Sequence, residues 1–370
     1  MDGRTSIGDF FSDLTEPRDS NRRHKLIDII TIALCAVICG ADTWEDIEEF
    51  GHTKREWFGK FLELPHGIPA HDTFARVFAS MDPTEFQQAF LRWVEAVRAV
   101  TNKEIVAIDG KTLRRSHEKD KSPLHLVSAW ALENKMVLGQ VKTREKSNEI
   151  TAIPELLQVL ELEGCIVTID AMGCQKDIAE KIIDKGADYV LGLKGNQGTL
   201  HDDVKFYFED CLASDFKDID YDYHETIDGD HGRIETRRYW TTSDIEWLSD
   251  KARWKHLSTI VMVGRERYVN GKTSTETSYY VTSLGSDAMC VSRAVRGHWG
   301  IENSLHWVLD IAFREDESRI RKDHAPANFA IIRHMALNLL RKETSLRRSI
   351  KTKRLKAGWD TDYLARILRG

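Results

Sequence analysis

At 370 residues the chain is too long for one ordinary domain, so we expect two or three. A hydrophobic content of 41% and a charged content of 30% predict a soluble globular protein, and the formal charge of −6 gives no sign of a nucleic-acid partner. The longest apolar run, Ile29 to Cys39, is too short to span a bilayer and the six cysteines lack metal-finger spacing, so we exclude a membrane protein and expect a reduced, cytoplasmic one.

Residues 1–100 are predicted to form an all-helical domain. An apolar helix spans Leu26 to Cys39 and ends at Gly40, because glycine readily adopts the left-handed conformation of a helix stop. Three later helices begin at residues that can cap them, the first with Asp46 in a capping box: Thr43, Asp72 and Thr84. Short helices joined by tight turns can form a helix-turn-helix DNA reader, but most small helical domains are not one, and both interpretations stay open.

At Lys103 the periodicity changes from helix to strand, and we place a second domain at residues 101–342. The predicted elements are a strand ending at Asp109, strands Leu124–Leu132 and Met136–Lys142, helix Glu149–Leu162, a strand ending at Asp170, helix Gln175–Lys185 and strand Tyr189–Leu193. Three antiparallel strands followed by right-handed crossovers predict a mixed sheet flanked by helices. This strand order is that of an RNase H-like α/β fold.

Residues 198–290 interrupt this pattern before the last helices of the domain. Residues 202–230 carry eleven acids against two lysines, which we interpret as a solvated face. Several β-rich segments follow, and Asn270-Gly271 between two of them is a strong hairpin signal. We therefore predict a β-rich insertion in the sheet domain.

Two of the predicted core strands end in an aspartate. Asp109 follows the apolar run Ile105–Ile108, and Asp170 follows Cys165–Ile169. An ionised aspartate is costly to bury unless it is paired or holds a metal. Two carboxylates at the carboxyl ends of neighbouring strands can form a site for hard divalent cations, which prefer oxygen ligands. The alternative for Asp109 is an ordinary Asp-Gly turn.

A third carboxylate, Glu302, lies in a predicted helix from Ala294 to Ala312. His298, Glu302 and His306 fall on one helical stripe, so Glu302 can complete an Asp/Asp/Glu site for two Mg²⁺ ions. The alternative is an amphipathic helix with polar ends at the rim of the core. A zinc site is a weaker interpretation, because this spacing is not His-Glu-x-x-His.

The chain ends in a basic segment. Residues 341–369 carry ten lysines and arginines against three acids, and we interpret residues 343–370 as a basic C-terminal tail that binds a polyanion. The alternative is again a solvated face.

Six motifs follow one another along the chain: Ile108–Thr112, Lys146–Ile150, Asp170–Gln175, Lys194–Gln197, His231–Arg233 and His298–Asn303. Together they closely resemble the H-repeat-associated (Rhs-linked) insertion-sequence transposases of bacteria, members of the DDE transposase superfamily with an RNase H-like core. The resemblance extends over nearly the whole chain, including the amino-terminal helical region.

The resemblance implies that Asp109, Asp170 and Glu302 are the catalytic, metal-binding triad, with two Mg²⁺ or Mn²⁺ ions as cofactors. It implies a DNA transposase that cuts one strand at an element's end and joins the freed 3′-hydroxyl to target DNA. The expected partners are double-stranded DNA, at the element ends and the target, and a second copy of the chain in a homodimer on DNA. We expect no membrane partner, and a cytoplasmic location that is nucleoid-associated when DNA is bound.

Several polar residues are expected to contact phosphate. For five of them the alternative is ordinary surface charge: Lys111, Arg114, Arg115, Lys194 and Arg233. The others are Asn196, Gln197, Arg296, His298 and His306.

The chain departs from the wider pattern around the glutamate. Related insertion-sequence transposases carry Tyr-x2-Arg-x3-Glu-x6-Lys, whereas the tyrosine, arginine and lysine places here hold Val295, His298 and Leu309. The nearest substitutes are Arg296, His298 and His306, although a neutral histidine supplies one donor where arginine supplies five. An alternative role for His298 is packing beside Trp299.

Two other functions compete with transposition. A metal-dependent DNA nuclease would use the same site without joining strands. A catalytically inactive or domesticated DNA-binding relative would keep the fold alone, although the intact acidic triad argues against it.

Overall fold

The computed structural model describes residues 7–19, 22–98, 103–117, 122–143, 149–230 and 232–369. The motif residues Lys146–Asn148 and His231, and the predicted helix end near Val100, lie outside these ranges. Among the described residues, no single helix is long and apolar enough to cross a membrane. Helices Leu26–Cys39 and Trp44–Thr53 reach that length and apolar content only when they are taken together, and they are bent by 96° relative to each other.

The described strands form one mixed sheet. They are β1 (Ile105–Leu113), β2 (Leu124–Ala131), β3 (Met136–Lys142), β4 (Ile166–Ile169), β5 (Asp188–Leu193), β6 (Asp222–Asp230), β7 (Arg233–Thr242), β8 (Thr259–Val269) and β9 (Lys272–Thr282). Their spatial order is β3-β2-β1-β4-β5-β9-β8-β7-β6.

Helices pack around the sheet, and further helices precede the first strand and follow the last one. The helices are α1 (Ile7–Phe11), α2 (Leu26–Cys39), α3 (Trp44–Thr53), α4 (Arg55–Phe58), α5 (His71–Ser80), α6 (Pro83–Val97), α7 (Glu149–Val159), α8 (Lys176–Asp184), α9 (Gly198–Ala213), α10 (Ala288–Ile301), α11 (Trp307–Phe313), α12 (Ala325–Lys342), α13 (Ile350–Trp359) and α14 (Thr361–Arg369).

The first five strands and their two crossover helices confirm the predicted RNase H-like α/β fold. β1 pairs antiparallel with β2 and parallel with β4, and β4 pairs parallel with β5. The run Ile105–Ile108 is completely buried, as expected for a β-branched segment covered on both faces. The boundaries of β3 agree with the prediction, and those of β2 and β5 differ by one residue.

The β-rich insertion continues the same sheet, because β9 pairs antiparallel with β5. Its Asn270-Gly271 hairpin joins β8 to β9, with positive φ at both residues, as predicted. The acidic stretch is mostly exposed, in agreement with the predicted solvated face, and it contains most of α9 and all of β6. The sequence of β6 lacks the alternation of apolar and polar residues that predicts a strand. Its antiparallel backbone pairing with β7 holds it in the sheet.

Two of the predicted helix signals at the amino terminus are confirmed and two are wrong. Gly40 ends α2 with φ of 115°, and Thr43 forms a capping box with Asp46. α5 begins before Asp72, which lies in its first turn. The side chain of Asp82, not Thr84, caps α6, because Pro83 occupies the first helical position.

The C-terminal segment differs from the expected basic tail, because it folds into α13 and α14. Tyr363, Leu364 and Ile367 of α14 are completely buried. The Arg354 guanidinium donates to the carbonyl of Val37 in α2 at 2.8 Å. Part of the positive charge of this segment therefore holds helices together.

Candidate active site

Asp109 and Asp170 lie on two adjacent inner strands of the sheet, and β1 runs four residues past Asp109 rather than ending there as predicted. Ile108 of β1 is the parallel partner of Ile169 of β4, so an aspartate follows each of them, inside β1 and directly after the end of β4. The Asp109 side chain is only 15% exposed. Burial raises its pKa to about 7, against an opposing effect of His306.

Asp170 caps a short turn, residues 171–173, and accepts from the Met172 amide at 2.9 Å. Two residues that were predicted to contact phosphate brace this turn and its continuation instead. The side-chain amide of Asn196 donates to the Ala171 carbonyl at 2.7 Å, and that of Gln197 donates to the Cys174 carbonyl at 2.6 Å. Their amide nitrogens therefore position the Asp170 loop.

Glu302 opens a single π-helical turn, Glu302–His306, between α10 and α11. The Trp307 amide donates to the Glu302 carbonyl, five residues back, which is the mark of this turn. The predicted regular helix is therefore interrupted at the candidate site. The Glu302 side chain is 57% exposed and lines the cleft.

His306 lies between two of the carboxylates. Its Nδ1 atom is 3.6 Å from Oδ2 of Asp109 and 3.7 Å from Oε2 of Glu302. Its Nε2 atom is buried without a hydrogen-bond partner among the described residues. The nearby His306 imidazole lowers the pKa of Glu302. Ligand atoms of these three side chains lie within 4.8 Å of one another, which is close enough to hold a cation.

The three carboxylates share one cleft of about 580 Å³. Of the ten side chains expected to contact phosphate, Lys194 and His298 line it. Other polar and aromatic side chains along the cleft include His201, Arg265, Glu276, Trp299, Asn303 and Trp307. The cleft thus combines an acidic edge with basic and aromatic walls.

His298 connects α10 to the catalytic sheet. Its Nδ1 atom lies 3.2 Å from the Thr168 hydroxyl in β4. Burial lowers the pKa of His298, although the Asp170 carboxylate opposes this shift. The neutral form is therefore favoured, which suits a hydrogen bond better than a phosphate contact.

Lys111, which was predicted to contact phosphate, is paired with two carboxylates of the protein. Its ammonium lies 2.5 Å from Oδ1 of Asp310 and 2.8 Å from Oε2 of Glu315. The side chain is 12% exposed, so the charge is enclosed by its two partners. Its role in the structure is to tie β1 to the segment that follows Glu302.

The four predicted arginines lie outside the cleft. Arg114 is 80% exposed and 3.2 Å from Asp316, and Arg115 is exposed beside it. Arg233 contacts Glu235 in the insertion, and Arg296 is 2.8 Å from Asp228.

Residues missed by the sequence analysis lie behind Asp109. His125 Nε2 is 3.0 Å from Oε1 of Glu149, and its Nδ1 is 2.8 Å from the Thr112 hydroxyl. A Cβ atom at Gly110 would lie 2.2 Å from that same Glu149 oxygen, so a larger residue here would displace the Glu149 side chain from His125. The carboxylate of Glu149 adds to the raised pKa of Asp109. The sequence signal that could have identified Glu149 is its position in the motif Lys146–Ile150.

Comparison with known proteins gives matches over nearly the whole chain. Residues 101–339 match the family model described as "Transposase DDE domain", and residues 8–94 match the model described as "DDE_Tnp_1-associated". "Putative transposase YncI" of Escherichia coli O157:H7 is 44% identical over 98% of this chain and 94% of its own length. "H repeat-associated putative transposase YhhI" of Escherichia coli K12 is 40% identical over 94% and 93%.

A solved piggyBac transposase synaptic complex with hairpin DNA is 12% identical, with a TM-score of 0.43, over 95% of this chain and 75% of that chain.

Proposed function

The chain belongs to the family of H-repeat-associated DDE transposases, and from this membership we propose that it is a DNA transposase that cleaves and joins the strands of an insertion-sequence element. The observation that carries the proposal is the meeting of Asp109, Asp170 and Glu302 in one cleft of an RNase H-like fold. The alternative Asp-Gly turn does not account for a buried carboxylate beside two others.

The chemistry of these side chains fits divalent cations. Burial leaves Asp109 with a pKa of about 7, so its ionised form needs a neighbouring positive charge. Asp109 and Asp170 would hold two ions, with Glu302 on the second of them. Carboxylate oxygens favour Mg²⁺ or Mn²⁺. When bound, such ions supply Lewis-acid stabilisation to the attacking and leaving oxygens of an in-line displacement.

The protein's own side chains hold this site in shape. The imidazole of His306 lies between Asp109 and Glu302, with its Nδ1 atom within 3.7 Å of both carboxylates. Asn196 fixes the turn that presents Asp170, and Lys111 holds β1 against the segment after Glu302. Positioning of this kind matters because a displacement of about 1 Å can cost on the order of a hundredfold in rate.

The proposed reaction has two steps at one site. A water molecule attacks the phosphodiester at the element's end and breaks its P–O3′ bond, which frees a 3′-hydroxyl and leaves a 5′-phosphate on the flanking strand. This 3′-hydroxyl then attacks a phosphodiester of the target, forms a new bond to its phosphorus and displaces a 3′-hydroxyl of the target. No side chain forms a covalent bond with DNA. We further propose a homodimer on double-stranded DNA and a cytoplasmic location at the nucleoid.

Strand transfer on the DNA that flanks the gene tests the proposal. Matching inverted repeats in that DNA would supply the substrate, and the full chain should nick it and join the 3′ end to a target duplex in Mg²⁺. Cleavage without joined product would favour the nuclease. Binding without cleavage in Mg²⁺ or Mn²⁺ would favour the inactive relative.

A further inference from the structure

One face of the insertion carries arginines gathered around a buried carboxylate. Glu235 of β7 is 2% exposed, and the guanidinium groups of Arg233 and Arg237 contact its two oxygens. From β8, the Nε atoms of Arg265 and Arg267 lie 3.7 Å and 3.5 Å from the same carboxylate. The strand register pairs Glu235 with Arg267 and Arg237 with Arg265, so these side chains project from one face.

This arginine cluster contains more positive than negative charge. Its other ion pairs are Arg237–Asp228 at 2.9 Å, Arg265–Glu276 at 3.2 Å and Arg296–Asp228 at 2.8 Å. Within the described residues of the cluster, five arginines thus share three carboxylates. Burial and repulsion by the neighbouring arginines lower the pKa of Arg233. A surplus of like charge held this closely is relieved when an anion binds.

The cluster is continuous with the active-site cleft. Arg265 and Glu276 line the cleft, and the guanidinium of Arg265 lies 5.8 Å from the centre of the Trp299 ring. Trp299 belongs to α10, three residues before Glu302. A positive surface therefore runs from the cleft along β7 and β8.

The opposite face of the same strands has a different character. Arg238, next to Arg237 in β7, is neutralised by Glu225 at 2.8 Å and Glu266 at 3.3 Å. The surplus of arginines is therefore specific to the face that adjoins the cleft.

Building on the proposed function, we propose that the arginine cluster binds the sugar–phosphate backbone of DNA entering the cleft, with Glu235 as the positioning residue for four of its guanidinium groups. Arginine presents a planar fork of donors that matches phosphate oxygens. Contacts of this kind fix the position of DNA without reading its sequence. The buried carboxylate holds the forks in place, so less side-chain entropy is lost when DNA binds.

Fluorescence anisotropy tests the cluster with the full chain in EDTA, using a labelled duplex of mixed sequence about 40 base pairs long, over a series of salt concentrations. Arg233→Gln and Arg267→Gln should each weaken binding several-fold and reduce the salt slope by about one. The matched control is Arg238→Gln on the opposite face, which should keep the affinity and slope of the wild type.

A second comparison isolates Glu235. If net charge alone decided binding, Glu235→Gln would strengthen it by removing a negative charge. The positioning role predicts weaker binding and a lower salt slope, whereas Glu225→Gln on the opposite face should not weaken binding. Thermal unfolding of each variant identifies any that fail to fold. If Glu235→Gln does not fold, Arg233→Gln and Arg267→Gln decide whether the cluster binds DNA.

The outcomes separate this inference from the proposed function. If the wild type cleaves DNA in Mg²⁺ but the arginine variants keep its DNA affinity and salt slope, the role of the arginine cluster is wrong and the proposed function still stands. A wild type that binds the duplex through the cluster but never cleaves DNA overturns the proposed catalysis and leaves the binding surface standing.

Discussion

The Lys111 ammonium lies 2.5 Å from the carboxylate of Asp310, and this ion pair joins the strand of Asp109 to the helix that follows Glu302. Asp310 is eight residues after Glu302 and four after His306, on the same side of the helical segment. The Lys111–Asp310 ion pair thus helps to fix the distance between the carboxylates of Asp109 and Glu302.

Lys111→Met should destabilise the fold. The substitution leaves Asp310 and Glu315, 3% exposed, without their ammonium. Because Arg333 stays 3.7 Å from Glu315 and Asp310 is partly exposed, we expect a loss at or below the roughly 3–5 kcal/mol of an uncompensated buried charge. Denaturant unfolding would measure the loss, with Arg114→Met as the control because Arg114 is largely exposed and its pairing with Asp316 is worth about 0–1 kcal/mol. A stable Lys111→Met protein with weakened DNA binding would restore the phosphate role.

Asp109 should make the metal-free protein less stable as pH rises. Its pKa is about 7 in the folded chain against an ordinary value of 3.8, so the folded state binds the proton more tightly. The stabilisation from this proton is complete below about pH 4 and is lost as pH rises towards 7.

Without metal near pH 8, Asp109→Asn should therefore be more stable than the wild type, by roughly 1–3 kcal/mol. Adding Mg²⁺ should raise the Tm of the wild type and not that of the variant. Thermal unfolding in EDTA and in Mg²⁺ measures both effects. An unchanged wild-type Tm in saturating Mg²⁺ and Mn²⁺ would argue against a cation on Asp109.

Asn196→Ala should slow cleavage without weakening DNA binding. The substitution removes the donor that holds the Ala171 carbonyl, so the turn that presents Asp170 loses a support. We expect a loss on the order of ten- to a hundredfold in single-turnover rate, with unchanged affinity for the duplex. The reverse pattern, normal rate after binding but weaker affinity, would return Asn196 to the phosphate contacts.

His298→Arg should destabilise the protein more than His298→Ala. The His298 imidazole is hydrogen-bonded to the Thr168 hydroxyl, and burial already lowers the pKa of His298. A permanent charge is therefore unfavourable at this position. Thermal unfolding of both variants, beside their cleavage rates, gives the comparison. An arginine variant as stable and as active as the wild type would support a contact with the scissile phosphate.

Local sequence signals predicted the parts of this fold that depend on neighbours in the chain. The β-branched run before Asp109, the capping box at Thr43 and the Asn270-Gly271 hairpin are each decided within a few residues. The strand order then correctly brought Asp109 and Asp170 together on adjacent strands, although β1 continues past Asp109.

The partners of the charged side chains could not be predicted in this way. Lys111 and Asp310 are 199 residues apart in the chain, so only the tertiary structure reveals that the lysine is neutralised. The position of His306 beside Asp109 depends on a π-helical turn that no periodicity indicates. β6 is hidden for a related reason, because an acidic strand has no apolar alternation.

Strand cleavage and strand transfer by the full chain in Mg²⁺, measured after each carboxylate is neutralised in turn, test the catalytic triad directly. Asp109→Asn, Asp170→Asn and Glu302→Gln should each abolish both reactions and keep wild-type affinity for the duplex. Glu317→Gln, an exposed acid paired with Arg314, serves as the control and should stay active. Wild-type activity in any one of the three variants would remove that residue from the site and contradict the triad.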